Sequence, residues 1–295
     1  MTSQVTAAPT ATAPRSGSHA RPRGRQGHRW GVLWTLLAWV AAVFFFFPVL
    51  WMVLTSFKTE SAAASNPPDL FATPTVAQYE LVLERGIAPY LINSAMAALI
   101  STLAVLALAL PAAYALAIKP VPKWRDVLFF FLSTKMLPAI AALLPLYLMV
   151  QWLGMLDNVW SLVILYTAMN LPLAVWMLRS FLQEVPVAII EAAQVDGARL
   201  PTVLVRVIGP VIMPGVAATA LICFIFAWNE FLFAVNLTAT RAATAPVFLV
   251  GFITSEGLFL ARLCAAATLV SLPVLIAGWM AQDKLVRGLT LGAVK

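Results

Sequence analysis

The chain has 295 residues, 62% of them hydrophobic and only 11% charged, with a mean hydropathy of +0.90. A soluble domain carries about a quarter charged residues, so this composition excludes one and points to a helical protein with several membrane spans. The net charge of +7 comes without a basic patch interleaved with aromatics. That excludes a nucleic-acid partner and leaves the flanking cations to membrane lipid.

Residues 1–29 are rich in Ala, Thr, Ser, Pro, Gly and Arg, with Arg15, Arg21, Arg23, Arg25 and Arg29 carrying the charge. They hold too few apolar groups to offset the entropy of ordering, so a disordered basic tail is expected. The apolar run at 32–56 is longer than the core of a signal peptide, and no clear small-x-small cleavage site follows. It reads as a retained first span. A crossing needs about 20 apolar residues, and five further segments meet this: 92–118, 127–151, 158–181, 208–238 and 259–281. The expected fold class is therefore all-α, a polytopic membrane protein with six transmembrane helices. No alternating ten-residue pattern suggests a barrel. Cys223 and Cys264 lie in apolar stretches and read as small core residues.

The segment between the first two spans, KTESAAASNPPDLFATPTVAQYELVLERG, is long and mildly acidic. Its Asn-Pro-Pro and Thr-Pro steps predict an ordered, turn-rich lid rather than a helix. Between the fourth and fifth spans, about residues 185–207 form the only long amphiphilic stretch. Pro186 suits a helix start, and Val185, Ile189, Ala192 and Ala193 fall on one side while Glu191, Gln194 and Asp196 reach water. Gly197 stands where a left-handed cap ends a helix, and Pro201 opens a second one. The product is a helix–turn–helix elbow at a membrane surface.

Lys and Arg placement sets the topology. With the N-terminus inside, fourteen of the nineteen cations fall in cytoplasmic segments, and only Lys58, Arg85 and Arg241 lie in outside loops. Both termini and the elbow are then cytoplasmic.

The elbow resembles the EAA loop of ABC importer permease subunits. Glu191-Ala192-Ala193, three residues, then Gly197 within Asp196-Gly197-Ala198, and later Pro210 fit the pattern. Val207 and Gly209 depart from its usual Ile and Leu. The stretches TSFKTESAAASNPPDLF, NSAMAALISTLAVLALALPAAYALA and FAWNEFLFAVNLT resemble carbohydrate-importer permeases of the maltose-permease G-subunit type, over about residues 30–295. STKMLPAIAALLPLYL, TSEGLFLARLCAAATLVSLPVLIAGW and QDKLVRGLTLGAVK are similar to the mannitol and sorbitol permeases of that group. The resemblance implies a MetI-like, type I importer transmembrane domain in a bacterial cytoplasmic membrane. It implies a second homologous permease, a pair of ATPase subunits binding ATP and magnesium, and an external solute-binding protein as partners. It also implies that Glu191, Ala192, Ala193, Asp196, Gly197 and Ala198 meet the ATPase, and that residues 282–295 fold back as a cytoplasmic, non-helical tail.

No phosphate-binding Gly-x4-Gly-Lys-Ser/Thr loop and no metal-ligand cluster occurs, so neither ATP hydrolysis nor a cofactor is expected on this chain. Polar residues inside the spans are costly and normally face a cavity or a partner. Lys135, Asn170, Asn229 and Glu230, with Trp228 as a flat apolar face, are candidates to line a path for polyhydroxylated solutes. Helix-to-helix glue is the other reading, and Lys135 and Glu230 could pair. A self-sufficient secondary transporter is the rival function. It would show more spans and internal repeats.

Overall fold

The computed structural model describes residues 26–69, 72–118, 121–254 and 257–293. Nearly all of the expected disordered tail, and Ser255 and Glu256, lie outside those residues. The chain divides into two units, residues 1–50 and 51–295. Within the first, helix α1 (Gln26–Ser56) begins. Its side chains from residue 31 to 50 are all exposed and mostly apolar, as befits a helix clothed by lipid.

In the second unit the loop expected outside differs from expectation in its structure. It contains two short helices, α2 (Glu60–Ala63) and α3 (Ala77–Glu84). Thr59 caps α2 through its hydroxyl, which accepts from the Ala62 N–H. The Asn-Pro-Pro turn is confined to the stretch between them. Next come α4 (Ile87–Ala117), α5 (Trp124–Met136), α6 (Ala139–Trp152) and α7 (Val159–Leu182). The elbow comprises α8 (Val187–Val195), the single turn α9 (Leu200–Thr202) and a π-helical segment, Val203–Ile208. It leads into α10 (Gly209–Trp228), then α11 (Leu232–Leu237), α12 (Ala245–Val250) and α13 (Leu260–Ala293). The described strands are one antiparallel pair of two residues each, β1 (Ile253–Thr254) and β2 (Gly257–Leu258).

Among the described residues, five helices are long and apolar enough to cross a membrane, or six if a bent pair counts as one. The pair is α5 and α6, which meet at 91°. The third expected span is therefore broken. Pro138 disfavours helical backbone at the residue before it, and Leu137 is extended. The fifth span also ends earlier than its apolar run, at Trp228. The last helix runs through Gly288 and Gly292 to Ala293, so the expected non-helical tail is helical instead. Each glycine costs about 1 kcal/mol in a helix, too little to end one without a capping partner.

Parallel α4 and α7 form the central pair. Ala97, Ala98, Ser101, Val105, Ala109 and Ala113 face inward at helical spacing, and such small residues let backbones approach closely. Two clusters follow along the pair. At the elbow end, Tyr114, Leu178 and Leu182 pack with Ile190, Ala193, Val203 and Ile208. Toward the far end, Ala98, Leu162 and Tyr166 pack with Phe224, Trp228 and Phe233. Where α7 meets α10, Phe181 lies so close over Gly215 that a Cβ there would sit 2.3 Å from the ring.

Candidate functional site

The elbow is built by its turn. Gly197 has φ +74°, a left-handed conformation, and its N–H donates to the Gln194 carbonyl while Ala198 donates to Ala193. Below it, Val185, Ile190 and Ala193 are buried against the ends of α4 and α7. Val185 and Ala193 are thus on the side expected, while Ile190 takes the inward place expected of Ile189 and Ala192 is exposed. Glu191, Ala192, Gln194, Asp196 and Gly197 are all exposed, and Val195 is 86% exposed. With Val187 and Ile189 also exposed beside the Glu191 and Asp196 carboxylates, α8 presents a mixed apolar and acidic ridge.

The π segment follows from Pro210. In an α-helix its ring would collide with the Arg206 carbonyl, four residues back. The wider turn relieves this, with Gly209 donating to Leu204, five residues back. A non-standard turn therefore joins the elbow to α10.

Within the spans, the candidate path residues do not form one group. Lys135 is exposed at the end of α5, 5.9 Å from the Phe226 ring centroid, at the rim of a cleft of about 180 Å³ walled by Phe131, Pro172 and Trp176. It forms no ion pair with Glu230. The Glu230 carboxylate accepts from the N–H groups of Phe233 and Ala234, at 2.9 and 3.2 Å, and starts α11. Asn229 is exposed and donates to the Ile225 carbonyl. Trp228 is buried, with its indole N–H donating to Val270, so no open path meets its face. Asn170 is 1% exposed, and neither its amide nitrogen nor its oxygen has a hydrogen-bond partner.

Asn170 has company that the sequence reading missed. One turn earlier on α7, the buried Tyr166 hydroxyl is set against the Glu230 carboxylate, its charged and hydrogen-bonding neighbour. Pro172 leaves the Ala168 carbonyl without its helical donor. Thr102 on α4 has a buried, unbonded hydroxyl between the two core clusters, at the level of Asn170. The middle of the central helix pair is therefore poor in satisfied polar groups.

Residues 109–288 match the family model described as binding-protein-dependent transport system inner membrane component. The chain belongs to this family. A probable ABC transporter permease protein, y4oR, of Sinorhizobium fredii is 40% identical over 90% of this chain and 95% of its own length. The trehalose transport system permease protein SugB of Mycobacterium tuberculosis is 34% identical over 92% and 98% respectively. The fold is also that of a solved chain from a bacterial ABC transporter involved in the import of the acidic polysaccharide alginate. There the TM-score is 0.72 at 21% identity, covering 90% of this chain and 100% of that one.

At the end of this inner-membrane component opposite the elbow, carboxylates tie distant segments together. Asp157, at the α6–α7 corner, accepts from the backbone N–H groups of Ala239, Thr240, Arg241 and Ala242, at 2.9 to 3.1 Å. Desolvation pushes its pKa up, but these donors outweigh that and hold the carboxyl well below the usual range. Glu60 accepts from the first N–H groups of α13, Ala261 and Arg262, both at 3.0 Å, and lies 3.7 Å from the Arg262 guanidinium. The Arg85 guanidinium donates to Gly251 and stacks over Phe252. An Asp-Asn step between spans was the sequence signal for Asp157. Nothing marked where its partners lay.

Proposed function

We propose that this chain is a pore-forming permease subunit of an ATP-driven importer for carbohydrates. The elbow carries that reading. Its exposed ridge is buttressed by the ends of α4 and α7 and continuous with α10, so a push on α8 reaches the central helix pair. In this reading the ATP and magnesium sit on a partner ATPase pair, Glu191 through Ala198 dock there, and a second permease completes the pore. An external binding protein delivers solute to the end tied by Glu60 and Asp157. The elbow and both termini face the cytoplasm, as the placement of Lys and Arg favours.

The substrate class is carried by the trehalose-transport relative and by the chemistry of the spans. They offer amide and hydroxyl groups without hydrogen-bond partners, Asn170 and Thr102, which suit a polyhydroxylated solute once the helices part. Within that class we assign a sugar alcohol such as mannitol or sorbitol. The assignment rests on the resemblance of residues 133–148, 254–279 and 282–295 to polyol permeases. Uptake into vesicles carrying the assembled transporter should need ATP inside and should persist when ion gradients are collapsed. The cognate binding protein should hold mannitol or sorbitol. A binding protein that holds an amino acid, a peptide or a phosphate ester, and no sugar or polyol, sinks the substrate reading.

A further inference from the structure

At the elbow end, the corner between α4, α5 and α7 gathers cations around one aromatic ring. The Trp124 ring has the Arg179 guanidinium carbon 4.6 Å from its centroid and that of Arg125 at 5.3 Å. Arg179 is fixed: its Nε donates to the Leu116 carbonyl at the end of α4, and Nη1 donates to Gln183. Its Nη2 remains free. Arg125 makes no hydrogen bond among the described residues, so its five N–H groups are available there. Neither guanidinium is ion-paired; among the described residues the one ion pair is Arg262–Glu60, at the other end. Asp126 is adjacent and pairs with neither. Lys123, exposed at the start of α5, adds a third cation.

Two like charges sharing one ring repel, and among the described residues no carboxylate pairs with either to relieve them. We infer that the Arg125–Trp124–Arg179 stack, with Lys123, holds the phosphodiester headgroup of an anionic phospholipid. The position selects the ligand. Tryptophan and arginine at a span boundary sit at the depth of headgroups, and basic pockets between helices on the cytoplasmic side take anionic ones. A phosphodiester offers two unbridged oxygens to planar, fork-shaped donors. The same chemistry would fit free phosphate, which reaches the site from water rather than along the bilayer. The inference uses the proposed function only for orientation, and labelling of Val195→Cys from one side of sealed vesicles reports that independently.

The test is lipid retention by the full-length chain purified in assembled form from vesicles of phosphatidylcholine with phosphatidylglycerol, read by native mass spectrometry. Wild type should retain phosphatidylglycerol over phosphatidylcholine. Arg125→Gln should lower that retention about fivefold, and Arg125→Gln with Arg179→Gln should abolish the preference. Arg125 makes no hydrogen bond among the described residues, so the single variant carries the test if the double variant fails to assemble. Equal retention by wild type and Arg125→Gln overturns the inference. Displacement of the lipid by millimolar inorganic phosphate overturns the lipid assignment in favour of a soluble anion. Unchanged retention with loss of a co-purifying subunit makes the stack a protein contact and overturns it as well.

Discussion

Gly197 is where one dihedral decides the shape of the elbow. At φ +74° a β-branched side chain is strained, although no atom lies within 4 Å of a Cβ placed there. Gly197→Val should therefore misplace α8 by backbone strain alone, at a cost of about 1–2 kcal/mol, while Gly197→Asn should be tolerated. Stimulation of ATPase activity by loaded binding protein is the measurement. It should fall in Gly197→Val and in Glu191→Ala, and survive in Gly197→Asn. Lys135 meets no carboxylate, so Lys135→Met should leave the complex assembled on size exclusion yet lower uptake several-fold. Weakened assembly would place Lys135 in an interface instead. Asp157→Asn removes the charge that four backbone donors share. The expected loss is about 1–2 kcal/mol after allowing for solvent screening, seen as a lower unfolding temperature. Since the folded pKa is depressed, Asp157 stabilises fully above the ordinary aspartate range. That contribution fades only as pH falls toward the depressed value, so wild type and Asp157→Asn should converge only in strong acid. At this scale the sequence is legible where one residue has one conformational meaning, as at Gly197. It is silent where a side chain's partners lie 82 to 85 positions away, as for Asp157.

The helices show a different limit. Apolar length located the five helices long enough to cross, because the bilayer fixes the number of residues needed. It could not register the 91° bend at Pro138, since two half-length apolar helices read as one run. Nor did it register the π turn, which changes hydrogen bonding without changing composition. Amphiphilicity found the elbow and put Val185 and Ala193 on the buried side, but chose Ile189 over Ile190. Val185, Ile190 and Ala193 face inward because the ends of α4 and α7, unseen in a local pattern, choose the side. Between α7 and α10 the close approach at Gly215 gives an element-scale prediction. Gly215→Leu must displace the Phe181 ring, which packs in the elbow-end core. Overpacking of this kind costs about 1–3 kcal/mol or more. Folded yield in detergent should drop, and Phe181→Ala should partly restore it by vacating the space.

For the whole molecule, orientation is the property that ties the elbow, the stack at Trp124 and the carboxylate ties into one working object. With Val195 and Ser61 both exposed at opposite ends, a pair of cysteine variants reports it. Val195→Cys should label only from the cytoplasmic side and Ser61→Cys only from outside, using a reagent that does not cross the bilayer. Labelling of both from one side would contradict the six-span reading and favour five crossings. The fold class and the family were legible in hydropathy and one loop motif. The translocation path was not, because Lys135, Asn170 and Glu230 are polar for three separate reasons: one rims a cleft, one is buried unbonded, and one caps a helix.

The ties opposite the elbow also set an order of events. Glu60 bonds to Ala261, 201 positions later, Arg85 to Gly251 across 166, and the Ser94 hydroxyl to the Ala245 N–H across 151. At synthesis rates of about 5–20 residues per second, Glu60 waits on the order of 10–40 s for its partner to emerge. Until then the segment between the first two spans has only local contacts, such as Ser56 to Tyr79 and Val82 to Ile87, while α4, α7 and the elbow already have each other. The nascent permease should therefore mature from the elbow end toward the opposite rim, which is sealed only when the final helix arrives.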